Sequence, residues 1–169
     1  MKIFIKSACI AFVLAVIYSM IPFQSECSQI SDEVFRLHIL ANSDSDFDQN
    51  LKLKVRDKVL CFTQSLFESA KSKEEAEKVI SENLQSIADV AYAEVLNNGF
   101  DYSVKAEITN MYFSTRYYDN YTLPSGMYDA LRITIGEGKG HNWWCVMYPS
   151  ICISSESEKD SKAREVFDQ

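Results

Sequence analysis

Ile135-Gly136-Glu137-Gly138-Lys139-Gly140-His141-Asn142-Trp143-Trp144-Cys145-Val146-Met147-Tyr148-Pro149 is the stretch whose reading decides the fold. Three of the five glycines fall here at alternate positions, with both tryptophans and one of the two histidines. Glycine reaches positive φ and lets another chain segment approach closely. The residues that follow alternate as a strand, Trp143, Cys145 and Met147 facing one way and Trp144, Val146 and Tyr148 the other. A strand apolar on both sides is covered on both sides. The glycines therefore predict a hairpin leading from the strand Tyr128–Ile135 into a central strand, Trp143–Tyr148.

Working outward, residues 33–41 read as a strand, with Phe35, Leu37 and Ile39 opposite Arg36, His38 and Leu40. Asn42-Ser43-Asp44-Ser45-Asp46-Phe47-Asp48 opens a helix, because short oxygen-bearing side chains cap free N–H groups and carboxylates suit the positive end of the dipole. The acidic spacing there also resembles the start of a calcium loop, but Gln49 stands where the turn glycine belongs and Val55 where the closing glutamate belongs. The helix over 46–70 carries one apolar stripe of Leu51, Val55, Val59, Phe62 and Leu66 and a second of Leu53, Leu60 and Phe67, so it is sandwiched. Lys52, Lys54, Arg56 and Lys58 lie between the stripes. Ser72 and Glu75 form a capping box for a second helix reaching about Leu96, and Asn97-Asn98-Gly99 ends it.

Residues 101–113 alternate as a strand solvated on one side, with Tyr102, Val104, Ala106 and Ile108 inward. Residues 114–125 read as a polar, tyrosine-rich connection closed by Pro124-Ser125-Gly126. Helices segregated from strands indicate an α+β fold: an N-terminal signal or anchor helix, a strand, two packed helices and a mostly antiparallel sheet of about four strands. The expected divisions are 1–27 (signal peptide or membrane anchor), 28–153 (the α+β domain) and 154–169 (a charged tail).

Lys2 and Lys6 precede Ser7–Ser25, a run of 19 residues without charge. Positive charge followed by such a run directs export. Nineteen residues serve either a cleaved signal, with Ser25-Glu26-Cys27 before the cut, or an uncleaved anchor. Export makes disulfides admissible. A straight strand would hold Cys145 and Cys152 about 23 Å apart at ~3.3 Å per residue, so they bridge only if Pro149-Ser150 reverses the chain; otherwise they are two buried thiols. The formal charge of −7 argues against nucleic-acid binding and against anionic lipid as a main target.

No catalytic constellation stands out. His141 and Cys145 are four apart in a loop-to-strand segment, and no cation beside Cys145 lowers its pKa. Two histidines and a lone thiol make no structural zinc pattern. The glycine run leads to a strand, not to the helix N-terminus that phosphate sites use. No catalytic residue, metal ligand or cofactor is expected.

The stretch 136–146, Gly-Glu-Gly-Lys-Gly-His-Asn-Trp-Trp-Cys-Val, is similar to the signature of the stage II sporulation protein R family of endospore-forming bacteria. Two further segments resemble that family: Arg36–Asp44 with Asp48-Gln49 and Leu51–Asp57 after it, and Leu123–Arg132. The resemblance covers roughly 33 to 152. It implies export from the forespore into the space between forespore and mother-cell membranes. There the protein would activate, without catalysis of its own, a membrane-embedded aspartic protease that removes the pro-sequence of a mother-cell sigma factor. It implies partner-binding roles for His38, Asn42, Ser43, Asp44, Lys52 and Arg56, and for Gly138, His141, Asn142, Trp143 and Trp144. The sequence departs from the family after Pro149, where Ser150-Ile151 replaces Pro-Leu. The competing expectation is a secreted hydrolase acting on cell-wall glycan or peptide, which would need a deep cleft with convergent polar groups.

Overall fold

The computed structural model describes residues 2–118 and 121–149. The chain divides into two compact units: Met1–Glu33 with Tyr112–Met127, and Val34–Met111 with Tyr128–Gln169. The expected tail over 154–169 lies outside the described residues.

The first unit holds helix α1 (Lys2–Glu33) and a two-stranded ribbon of β3 (Arg116–Tyr118) and β4 (Tyr121–Leu123). The ribbon is antiparallel, Arg116 opposite Leu123 and Tyr118 opposite Tyr121. It falls where a polar, tyrosine-rich connection was expected, since strands this short leave almost no periodicity to read. Side chains of α1 between Phe4 and Tyr18 are exposed. Among the described residues no helix is long and apolar enough to cross a membrane. The side chains of residues 19–29, which include the expected cleavage site, lie outside the described set.

The second unit is an α+β body. Strands β1 (Phe35–Leu40), β2 (Val104–Phe113), β5 (Gly126–Ile135) and β6 (Asn142–Tyr148) form a sheet in the order β2-β5-β1-β6. β1 pairs parallel with β5, Leu37 beside Leu131, and antiparallel with β6, Leu37 beside Cys145. The contacts Gly136 N–H to Ser103 C=O and Asn110 to Asp129 run in opposite senses, as in an antiparallel β2–β5 pair. The expected hairpin between β5 and β6 does not form. β1 lies between them, because all six of its residues are buried and such a strand takes an interior position. The glycine loop therefore spans the end of β1.

One face of the sheet carries Phe35, Leu37, Ile39, Leu131, Ile133, Ile135, Cys145 and Met147, which join the helices in one core. Helix α2 (Asp46–Leu66) lays Leu51, Val55 and Val59 on that core, and a 3-10 turn, Phe67–Ser69, follows. The second helix is broken, as α3 (Lys73–Glu82) and α4 (Leu84–Asn97). Asn83, at φ −114° and ψ 11°, leaves helical geometry while its amide caps the Val79 carbonyl. Asparagine competes for backbone groups in this way, and the unbroken apolar spacing concealed it. Of the apolar stripe that the spacing gives, Ala76, Ile80, Ile87, Ala91 and Val95 are buried, while Leu84, beside the break, is half-buried. Ser45 and Ser72 cap α2 and α3 as expected, accepting from the Asp48 and Glu75 N–H groups.

Ile133 is fully buried near the C-terminal end of β5. Ile133→Ala is expected to cost about 2–5 kcal/mol, read as a lower urea midpoint at unchanged m-value. Met127→Ala, at a side chain 52% exposed, should shift it by less than about 0.5 kcal/mol.

Candidate functional site

The glycine loop and the β1–α2 connection meet at the C-terminal end of β1. Gly136 and Gly138 hold φ of 57° and 62°, which a side chain rarely adopts. The loop's N–H groups then turn onto the other segment. Glu137 N–H donates to Asn42 Oδ1 at 3.0 Å, Lys139 N–H to the Asn42 carbonyl at 3.2 Å, and Gly140 N–H to the Ala41 carbonyl at 3.0 Å. His141 N–H donates to Asp44 Oδ1 at 2.6 Å, and its ring Nδ1 lies 2.5 Å from the same oxygen. Gly140 is glycine for space: a Cβ there would overlap the Ser43 carbonyl.

Behind this seam Asp48 gathers the connection. It accepts from Asn42 Nδ2 at 2.9 Å and Ser43 Oγ at 2.6 Å while almost wholly buried. Burial works to raise its carboxyl, yet hydrogen bonds from Ser43, Asn42, Tyr102 and Ser45 outweigh it and hold the group below the usual carboxylate range. Lys52, also buried, donates from Nζ to the His141 carbonyl at 2.9 Å and to Gln49 Oε1 at 2.5 Å. Arg56, equally buried, stacks its guanidinium 4.2 Å from the Trp143 ring centroid and pairs with Asp57 at 2.7 Å. The basic run of α2 is thus split. Lys54 and Lys58 are exposed, while Lys52 and Arg56 hold the loop and the strand from within.

The tryptophans face opposite sides, as their alternation required. Trp143 lies on the helix face with Arg56, and Trp144 stacks on His38 across the sheet, ring centroids 4.5 Å apart. Burial, then the nearby positive charge of Arg132, lower the His38 pKa to about 4 against a raising hydrogen bond from Asn142, so the imidazole is neutral near pH 7.

All eleven residues singled out from the sequence therefore lie in or against one end of the sheet, in two groups. His38, Lys52 and Arg56 are buried and act as supports; Asn42, Ser43, Gly138, Trp143 and Trp144 are half-buried. Asp44, His141 and Asn142 form the exposed rim. Asp48 and Arg132 belong to the same assembly without having been singled out. Asp48 read only as a helix-capping acid, and nothing in the spacing brings Arg132 to His38.

Chemically, the rim offers a fixed imidazole–carboxylate pair and an amide. The nearest cysteine along the chain, Cys145, is buried and disulfide-bonded, so it is no nucleophile. Cys152 lies outside the described residues. Among the described residues no group of three or more His, Cys, Asp or Glu side chains is placed to hold a metal ion. A groove of about 440 Å³ between α4 and the start of β2 contains Asp89 and Asp101, which accept from Gln85 and Tyr92 respectively.

Gly140 is not in the left-handed region, so Gly140→Ala acts through the clash alone. It should destabilise the protein by about 1–3 kcal/mol, and hydrogen exchange at the Lys139 and His141 amides should quicken. His38 gives an acid-limb signature. Its folded pKa lies below the unfolded 6.5, so as pH falls from 6.5 to about 4 the unfolded chain takes up a proton that the native one refuses. Stability should decline across that window, and His38→Phe, which keeps a ring against Trp144, should flatten the decline in pH-dependent urea melts.

The family model for stage II sporulation protein R matches residues 31–158. The chain is also 38% identical over 140 residues to stage II sporulation protein R of Bacillus subtilis (strain 168), covering 80% of this chain and 62% of that protein. It thus spans less than two thirds of that relative's length. No solved structure matches. On the extent of the family match and this identity, the chain belongs to the stage II sporulation protein R family.

Proposed function

We propose that the protein is an exported sporulation signal that activates a membrane-embedded aspartic protease, which then processes the pro-form of a mother-cell sigma factor. Family membership supports a sporulation role. The lysines and uncharged run at the N-terminus support delivery from the forespore into the space between the two membranes. The observation that carries the reading is the convergence of two family-like segments. Asn42–Asp44 and Glu137–His141 are joined backbone to side chain, and they leave Asp44, His141 and Asn142 projecting. A surface fixed before contact loses little freedom on binding, which favours a protein ligand. Its half-buried Trp143 and Trp144 are residue types that dominate interface energetics.

The rim residues bind, and the buried ones hold them in place. His141→Ala keeps the backbone N–H that Asp44 accepts and removes only a surface pair, so stability should change by about 0–1 kcal/mol. In sporulating cells the variant should process the sigma-factor precursor poorly at native expression and recover when overproduced, as weakened binding dictates. A folded, abundant His141→Ala protein that still binds the protease yet is inactive at any dose would contradict a ligand role and point to catalysis.

A further inference from the structure

Phe47 is 76% exposed on the first turn of α2, three residues from Asp44, whose carboxylate holds His141. Its outward direction is imposed. Ser45 caps the helix on the Asp48 N–H, and the Asp48 side chain is drawn inward by Asn42 and Ser43. With Asp48 turned in, the residue before it is carried about 100° round the helix. Asp44, Ser45, Asp46 and Phe47 are accordingly exposed in succession beside the rim. The exposed run that leads to Phe47 is acidic, with Asp44 and Asp46, while Lys139 in the loop is already paired with Glu137 at 2.7 Å. An isolated surface phenylalanine needs no explanation. One carried on a capped helix turn beside a preformed polar rim has the make-up of an interface anchor, an aromatic ring with polar neighbours.

We infer that Phe47 is the apolar anchor of the recognition surface, and that the face of the protease it meets presents an apolar pocket flanked by lysine or arginine. This rests on the protease-ligand reading above. Charge complementarity selects the flanking groups, since Asp44 and Asp46 would repel an acidic pocket.

Binding of the purified full chain to the protease in lipid nanodiscs tests the inference. Phe47→Ala should bind at least tenfold more weakly with an unchanged melting temperature, because the ring contributes little to folding. Asp46→Lys should also weaken binding, and its deficit should shrink as salt rises. Phe47→Ala binding as tightly as the parent would overturn the anchor while leaving the protease reading intact. An Asp46→Lys variant that binds better would overturn the basic flank. A parent chain that does not bind the protease would remove the protease reading, and the anchor with it.

Discussion

Asn42 is the joint on which the rest of this structure depends. Its amide oxygen accepts from Glu137, its amide nitrogen donates to Asp48, and its carbonyl accepts from Lys139. One residue thus ties the end of the central strand to the first turn of α2 and to the loop between β5 and β6. The asparagine amide places a donor and an acceptor on separate atoms of one short side chain, so it reaches two partners at once. Because Gly136 packs against the same amide, where a Cβ would overlap it, the glycine and the asparagine are required together.

The supports beneath the rim obey the same economy. Lys52 and Arg56 are buried cations, which elsewhere would be costly. Here one ammonium satisfies a loop carbonyl and one guanidinium lies against an indole while paired with Asp57. Their aliphatic stems add to the packing of α2. Buried Lys52 and Arg56 thus hold the loop and the strand from within, while Asp44 closes the seam at the exposed rim through the His141 N–H.

Much of this was legible beforehand, and the failures have physical causes. Helix α2, both serine caps, the apolar faces of β1 and β5 and the opposed tryptophans all follow from local periodicity and capping chemistry. Strand order does not. A glycine loop between two strands reads as a hairpin unless β1 is known to lie between them, and that depends on pairing across about a hundred residues. The break at Asn83 was hidden by a stripe that stays apolar on both sides of it. For the eleven residues singled out, the sequence did not distinguish the buried ones from the exposed ones. Nothing in an alternating Lys-x-Lys-x-Arg pattern tells which cations turn inward.

The position of β1 also governs when the fold can exist. It is the first strand in the chain, yet its two neighbours are residues 126–135 and 142–148. A chain emerging N-terminus first therefore carries β1 unpaired until the segment 126–148 has been made. Long-range pairing of this kind is slow to form. The polypeptide stays open through most of its synthesis, with its apolar β1 seeking cover throughout. Closure of the sheet comes with the arrival of the same segment that builds the rim. Folding of the sheet and completion of the rim are then a single event.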